Sequence, residues 1–274
     1  IRSIIREPNV YIDMWYERFE HTHDIFVGLE GKAVAAVAQL TFPNDGRVTN
    51  SVVFPGDAII NWVFGDPAFP EAIDRFFEAM RRTAAQKGYA GIQVDARNGF
   101  GIGWQGIPDC WPHLVRAAAT GGFDITERWQ SYWTDGVMAE RELPPGFRFT
   151  FDHDENRLAA RICLYEGDSA AGEMDIWFPS PLAHGLRSAG MANIEWIEVF
   201  EPYRGRGIGQ AALTIAARQL KLLGYGRFML WTKYERMHKL ALRAGLRKGP
   251  TFHWARGDLI PLGRSGADLT ARRR

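Results

Sequence analysis

The apolar residues of the first half of the chain form short runs and one long stripe, which predict strands and amphipathic helices in alternation. Strands are predicted at residues 25–29, 34–40, 51–54, 58–64, 91–95 and 129–134. A helix is predicted from Pro70 to Gly88, because one of its faces carries a stripe of apolar side chains: Ile73, Phe76, Phe77, Met80 and Ala84. Shorter helices are predicted over residues 112–119 and 10–19.

The second half of the chain repeats this order, which predicts two copies of one fold. Gly88 and Tyr89 follow a predicted helix and precede a strand, and Gly224 and Tyr225 do the same in the second half. Before each of these helices the predicted strand contains a polar residue followed by tryptophan, at positions 61–62 and 195–196.

The run Leu-Pro-Pro-Gly at residues 143–146 lies between the copies and has the composition of a linker. With 274 residues, of which 46% are hydrophobic and 24% charged, the chain is large enough for two globular domains. We therefore predict α/β domains over residues 1–143 and 144–264. A basic tail over residues 265–274 is predicted to be disordered.

The charge of the chain is unevenly distributed. Residues 201–274 hold 16 lysines and arginines against four acidic residues, although the formal net charge of the whole chain is only +1. A basic carboxyl-terminal part suits a ligand with several phosphates. It would also suit nucleic acid, but no nucleic-acid-binding motif accompanies it, so no such partner is predicted.

Targeting signals and metal motifs are not evident in the sequence. The two cysteines, Cys110 and Cys163, lack the spacing of metal ligands and suit a reduced compartment. No apolar run approaches the length of a membrane span, and the first residues do not have the layout of a signal peptide. A cytoplasmic protein with no bound metal and no membrane contact is predicted.

The best candidate for chemistry is the segment 193–209, Asn-Ile-Glu-Trp-Ile-Glu-Val-Phe-Glu-Pro-Tyr-Arg-Gly-Arg-Gly-Ile-Gly. Its first part predicts a strand, which Pro202 ends because proline has no N–H to donate. Gly205, Gly207 and Gly209 then lead directly into a predicted helix. Glycines allow close approach of backbone, and the free N–H groups and dipole of a helix start attract anions. The predicted ligand carries phosphate.

Two common phosphate sites do not match this segment. A dinucleotide site needs Gly-x-Gly-x-x-Gly and a later acidic residue, and a Walker loop needs Gly-Lys-Ser/Thr. The segment resembles instead motif A of the GNAT superfamily of acetyl-CoA-dependent N-acetyltransferases, in which Arg/Gln-x-x-Gly-x-Gly/Ala follows a strand ending in Val-x-x-Pro. Arg204, Gly207 and Gly209 match the motif, and Val199 and Pro202 match the residues before it.

The resemblance implies two tandem GNAT-like domains, each a mixed, mostly antiparallel twisted sheet flanked by helices. It covers the second repeat by motif and the first by topology alone. It also implies that strand backbone contacts the pantetheine arm and acetyl oxygen of acetyl-CoA, and that the glycine-rich bend contacts its pyrophosphate. The cofactor-binding residues that it implies are Ile197, Glu198, Val199, Arg204, Gly205, Arg206, Gly207, Ile208, Gly209 and Gln210.

The first repeat lacks the equivalent bend. Residues 68–73, Ala-Phe-Pro-Glu-Ala-Ile, stand where 204–209 stand in the second repeat. They contain neither arginine nor glycine, and Glu71 and Asp74 would place negative charge at the helix start. The first repeat is therefore predicted not to bind acetyl-CoA.

The general base is predicted from strand alternation. Alternation puts Asn193, Glu195, Ile197 and Val199 on one face of the strand, with Trp196 and Glu198 on the other. Family members often place a base four or six residues before the motif valine, which corresponds to Glu195 and Asn193 here. Since an amide cannot take a proton, Glu195 is the first candidate. Glu198 is the second, and His184 and His253 are further alternatives.

The general acid departs from the family pattern. The family's usual tyrosine falls on Ala241, and its usual asparagine falls on Tyr234. Tyr234 and His238 are the alternatives that could protonate the leaving thiolate. We predict an N-acetyltransferase that transfers the acetyl group of acetyl-CoA to a primary amine of a small molecule. The missing tyrosine motivates the alternative, a non-catalytic acyl-CoA-binding module.

Overall fold

The computed structural model describes residues 21–43, 56–94, 106–134, 136, 138–155, 159–178 and 190–259. The predictions made for residues 10–19, 51–54 and 265–274 lie outside these ranges. The described residues fall into two compact units. The N-terminal unit comprises the described residues up to Arg128 together with those from Phe252 onward, and the C-terminal unit comprises those between Trp129 and Thr251.

The N-terminal unit is a mixed sheet with two helices. Its elements are β1 (His21–Glu30), β2 (Ala33–Pro43), β3 (Asp57–Gly65), α1 (Pro70–Gln86), β4 (Gly91–Val94), β5 (Ile107–Pro108) and α2 (Pro112–Thr120). The pairs β1–β2 and β2–β3 are antiparallel, whereas β3 and β4 are parallel. The predicted stripe of α1 is buried in the core of this unit, with Ile73, Phe77 and Met80 fully buried.

The C-terminal unit repeats this plan. Its elements are β7 (Phe147–Asp154), β8 (Ala159–Glu166), β9 (Ser169–Trp177), β10 (Met191–Val199), α3 (Ile208–Leu222), β11 (Arg227–Thr232) and α4 (Glu235–Arg243). Strands β7 to β10 pair in antiparallel order, and β10 pairs with β11 in parallel. The buried face of α3 is rich in alanine, so this helix can lie close to the sheet.

Two strands are divided between the units: β6 (Asp124–Trp133) and β12 (Arg247–Asp258). The last four residues of β6 pair with β11, and the last four of β12 pair with β4. Each unit therefore completes its sheet with a strand that belongs, in chain order, to the other repeat. The two compact units are not divided at residues 143 and 144. The domain limits given there stay a prediction, which concerns the two repeats in sequence.

The predicted elements agree well with these bounds. The helices predicted at 70–88 and 112–119 correspond to α1 and α2, and the described strand predictions fall within β1 to β4 and β6, apart from the last residue of those at 91–95 and 129–134. The α/β fold class is confirmed. Strands β7, β8, β9 and β12 are not among the predicted elements.

An ion pair joins the last residues of β12, which pair with β4, to strand β3 of the N-terminal unit. Asp57 is 1% exposed, and its two carboxylate oxygens accept hydrogen bonds of 2.6 and 3.1 Å from Arg256. Burial raises the pKa of the Asp57 carboxyl, with Arg256 opposing the rise, whereas the hydrogen bond to Asp57 raises the pKa of Arg256. Burial therefore favours the protonated carboxyl of Asp57, whereas the contact with Arg256 favours the carboxylate. The two-point geometry favours the charged pair, because an arginine does not lose its proton.

The replacement D57A should therefore destabilise the N-terminal unit. It leaves the Arg256 guanidinium, whose side chain is 24% exposed, without its main partner, and such losses cost about 3 kcal/mol. Urea unfolding would measure the change. The matched control is E78A, which removes the exposed partner of Arg82 on α1 and should have a several-fold smaller effect. Equal effects of the two changes would contradict the role given to the buried pair.

Candidate functional site

The C-terminal unit has a gap between two neighbouring parallel strands. Strand β10 pairs with β11 only from Met191 to Ile194, although β10 continues to Val199. The other edge of β10 stays paired with β9 as far as Val199. The last five residues of β10 thus present one edge that does not pair with β11. Such an edge can receive an extended ligand by backbone hydrogen bonding.

A β-bulge at Glu195 sets the direction of the side chains along this edge. Ile194 lies opposite Ile176 and Trp196 lies opposite Asp175, so Glu195 has no partner residue on β9. The predicted grouping of Asn193 and Glu195 with Ile197 and Val199 on one face is therefore wrong. Because the bulge adds one residue, Ile197 and Val199 share the core face with Ile194. The opposite face carries Asn193, Trp196 and Glu198.

The glycine turn, residues 204–209, connects the end of β10 to α3. Gly205 and Gly207 have φ values of 81° and 84°, in the left-handed region that favours glycine. Gly207 is the N-cap of α3, and no side chain caps the helix. The first turn of α3 contains no acidic residue. Its first N–H groups and the positive end of its dipole are therefore left for an anion.

Ile208 is buried under this turn, and Gly209 allows the close packing of the turn against its neighbours. A Cβ added at Gly209 would lie 3.2 Å from Leu240 of α4 and 3.7 Å from Val199 of β10. Ile208 is 1% exposed. Gln210 is directed to α4 and the chain before β7, since its Nε2 donates to the carbonyl oxygens of Ala139 and Arg243 at 3.3 and 3.4 Å.

The two arginines of the glycine turn are both engaged within the protein. Arg204 donates to the carbonyl oxygen of Val199 at 2.9 Å and lies 3.7 Å from the carboxylate of Glu198. Arg206 pairs with Glu166 at 2.6 Å and lies over the ring of Phe147. A third arginine, Arg141, also lies against the turn, beside Gly207. No local sequence signal indicates Arg141, because it is 66 positions away in the chain.

The candidate bases are placed differently by the structure. Glu195 is exposed at the bulge, and its carboxylate accepts a hydrogen bond of 3.0 Å from the side-chain amide of Asn193. Glu198 lies on the face away from the core and pairs with Arg204. His253 lies on the part of β12 that belongs to the N-terminal unit, where burial lowers its pKa. His184 lies outside the described residues.

The candidate acids both lie at the start of α4. Tyr234 is the N-cap residue and is 52% exposed, with Lys233 and Arg236 near its ring. His238 is half-buried, and its Nδ1 lies 3.0 Å from the hydroxyl of Tyr132 on β6. Tyr132 is 2% exposed, and burial, with a smaller effect of the Glu235 charge, raises the pKa of its hydroxyl. Tyr132 is not among the predicted site residues, since β6 precedes the linker and lies far from the motif in the chain.

The N-terminal unit differs from the C-terminal unit at the positions that correspond to the bulge of β10 and to the start of α3. The bulge of β3 falls on Asn61, the counterpart of Glu195, whose amide donates to the Thr41 hydroxyl at 2.6 Å inside the protein. Helix α1 begins at Pro70 and has Glu71 in its first turn, and its N-cap Phe69 has a φ of −125°. The glycine bend and the open dipole of α3 are thus missing from α1. The absence of acetyl-CoA binding by the first repeat stays a prediction.

Other kinds of site find no support among the residues described. Within the described ranges, no group of three or more histidine, cysteine, aspartate or glutamate side chains is arranged to hold a metal ion. None of the described helices is long and apolar enough to cross a membrane.

The sequence profile of the acetyltransferase (GNAT) family matches residues 113–245, which include β10, the glycine turn and α4. Residues 113–245 therefore carry a domain of the GNAT acetyltransferase family. The general chemistry of this GNAT chain is therefore acyl transfer. No curated protein matches it by sequence.

Solved structures show that the fold of this GNAT protein is shared. A tandem GNAT protein from the clavulanic acid biosynthesis pathway, determined without AcCoA, gives a TM-score of 0.61 at 12% identity, over 89% of this chain and 86% of its own. A GCN5-related N-acetyltransferase from Kribbella flavida gives 0.56 at 13% identity, over 94% and 95% of the two chains. One from Sphaerobacter thermophilus gives 0.52 at 14% identity, over 86% of each chain. The predicted fold, two tandem GNAT-like domains, is confirmed.

Proposed function

We propose that the C-terminal unit of this protein transfers the acetyl group of acetyl-CoA to a primary amine of a small molecule. The observation that carries the proposal is the uncapped start of α3 at Gly207, beside the open edge of β10. The residues present suit a phosphate-bearing carrier, because the first turn of α3 has neither a capping side chain nor an acidic residue.

The donor supplies an activated acetyl group, and the chain supplies binding and proton transfer. Backbone groups of the glycine turn and of residues 208–210 would hold the diphosphate. The open edge of β10 at Ile197, Glu198 and Val199 would pair with the amide-containing arm and would offer N–H donors to the acetyl oxygen. Arg204 would act indirectly, by fixing the carbonyl group of Val199.

Glu195 is proposed as the base that takes a proton from the acceptor amine, directly or through a water molecule. The bulge supports this role, because it places Glu195 at the open part of β10 and leaves its side chain exposed. The amide of Asn193 limits the positions of its carboxylate.

His238 is proposed as the acid that protonates the leaving thiolate, with Tyr132 as the residue that positions it. His238 lies one turn before Ala241 on α4, and Ala241 is fully buried and carries no hydroxyl. A tyrosine hydroxyl can donate to a neutral imidazole nitrogen or accept from a protonated one, so the contact is available in both states of the histidine. Tyr234 stays the alternative acid.

A cytoplasmic location is part of the same proposal. It is supported by Cys110 and Cys163, which are both free thiols.

The function is tested by mixing the protein with acetyl-CoA and a panel of primary amines and measuring free thiol. We expect thiol release that depends on the amine and yields its N-acetyl derivative by mass spectrometry. The second candidate function, a non-catalytic acyl-CoA-binding module, is motivated by Ala241. Binding of acetyl-CoA without thiol release across the panel would favour the module and contradict the enzyme.

The replacement G207V tests the glycine turn. A β-branched residue is strained at a φ of 84°, and its Cβ would occupy the space beside the first turn of α3. Binding of acetyl-CoA, measured by calorimetry, should fall below detection while circular dichroism stays unchanged. The control is G224V at the other end of α3, where φ is 85° and no atom lies within 4 Å of the added Cβ. Equal binding by both variants would contradict the site.

The replacement E195Q tests the base. It should lower kcat/KM for the amine roughly 100-fold, while the Kd for acetyl-CoA stays the same. The loss should shrink as pH rises toward the pKa of the amine, because the acceptor then loses its proton in solution. The comparison variant is E198Q. A loss of activity in E198Q but not in E195Q would transfer the role to Glu198.

The replacement Y132F tests the positioning of His238. Without the hydroxyl, Nδ1 of His238 loses its hydrogen-bond partner, so the high-pH limb of the kcat profile should move while the Kd for acetyl-CoA does not. H238A should remove that limb. The control is Y165F, which alters a tyrosine of β8 that stacks with Arg148. A pH profile unchanged in both Y132F and H238A would leave Tyr234 as the acid.

A further inference from the structure

The segment that joins the two repeats, residues 138–143, is fastened along the helices of the C-terminal unit. The amide of Ala139 donates to the carbonyl oxygen of Ala244 at 3.0 Å, next to the end of α4. The amide of Arg141 donates to the hydroxyl of Thr214 on α3 at 3.1 Å. A loose linker would leave its backbone groups to water. This one has a fixed path beside α3.

Two ion pairs on either side of Arg141 fix the same path. Glu140 and Glu142 both pair with one guanidinium, that of Arg218 on α3, at 2.8 and 2.7 Å. Each pair is exposed and adds little stability by itself. Together they fix the direction of the chain, because both acidic side chains must point toward Arg218.

The side chain of Arg141 lies directly against the glycine turn. A Cβ built on Gly207 would overlap Nε, Cζ and Nη2 of this arginine. Only glycine lets the guanidinium come so close to the backbone at the start of α3. Arg141 is exposed and, among the described residues, its guanidinium makes no hydrogen bond or ion pair. Arg204 and Arg206 differ from it, because both have partners.

The electrostatics of this arrangement call for an anion. A guanidinium beside the first turn of a helix faces the positive end of the dipole, which is unfavourable. No acidic residue of the first turn compensates the charge. The cost is offset when a negative ligand lies between the guanidinium and the N–H groups. A phosphate offers oxygen atoms to both, and the planar fork of arginine suits it.

We infer that Arg141 is a ligand of the diphosphate of the acyl carrier and that the segment 138–143 holds it in position. This inference rests on the proposed function, since it concerns the same carrier. It adds to that function a binding residue from the chain before β7, outside the glycine turn.

The test measures binding rather than turnover, using the full chain with coenzyme A, 3′-dephospho-coenzyme A and pantetheine. R141A should raise the Kd for coenzyme A tenfold to roughly 100-fold, as expected for loss of a charged hydrogen bond. The same factor is expected for the dephospho compound, because the diphosphate is the proposed partner. Binding of pantetheine, which has no phosphate, should not change. R141K should give a smaller loss, since it keeps the charge without the fork.

The matched control is R148A on β7, another exposed arginine of the same unit, which pairs with Asp168. It should leave all three affinities unchanged. A supporting variant is R218A, which frees Glu140 and Glu142 and should reproduce part of the loss in R141A. The affinity of R141A for coenzyme A should also depend less on salt concentration than that of the unmodified chain.

Each contrary result has a distinct meaning. An unchanged Kd in R141A overturns the inference and leaves the proposed function standing. Tighter binding of coenzyme A by R141A would also overturn the inference, because it would show that the Arg141 side chain blocks the glycine turn. A loss for coenzyme A alone, with none for the dephospho compound, would contradict the assignment to the diphosphate. An unmodified chain that binds neither compound overturns the proposed function and this inference together.

Discussion

The candidate site of the C-terminal unit is organised around one electrostatic feature, the uncompensated positive end of α3. Gly205 and Gly207 turn the backbone through left-handed conformations, and the helix then begins without a capping side chain. Most helices place Ser, Thr, Asp or Asn at this point, which stabilises them by about 1 kcal/mol. Here the chain lacks that cap and also brings the guanidinium of Arg141 to the same place. Both features are unfavourable in the free protein, and a bound anion, as proposed above, would offset both.

The two repeats share their path and differ in this one respect. Each has a bulge before the corresponding tryptophan, at Asn61 and at Glu195, followed by a strand end and a helix. In the first repeat the bulge residue bonds to Thr41 in the interior, and Glu71 provides negative charge at the start of the helix. The bulge residue and the helix start of the first repeat are therefore both engaged with groups of the protein itself. The second repeat retains the exposed group and the open helix start, which is the arrangement that a ligand requires.

Local patterns in the sequence predict the helices, most strands of the first repeat and the glycine turn, because periodicity and turn residues act over a few positions. They fail where the outcome depends on partners far along the chain. The bulge at Glu195 arises from pairing with β9, so simple alternation assigns the faces of Ile197 and Val199 wrongly. Tyr132 and Arg141 reach the site through pairing of β6 with β11 and through the path of residues 138–143. Neither residue stands in a motif.

Because β6 pairs with β11, the C-terminal unit includes residues that precede the second repeat in sequence. A fragment that begins at residue 144 would contain the glycine turn and β10, but it would lack β6, which covers the edge of β11 with residues 130–133. An exposed edge strand is prone to pairing with other chains. The fragment would also lack Tyr132 and Arg141, and with them the partner of His238 and the cation beside Gly207. The match to the family profile begins at residue 113, upstream of β6, Tyr132 and Arg141. Residues before position 144 thus contact both the glycine turn and α4, so the boundary between the repeats in sequence does not separate the proposed site from the rest of the chain.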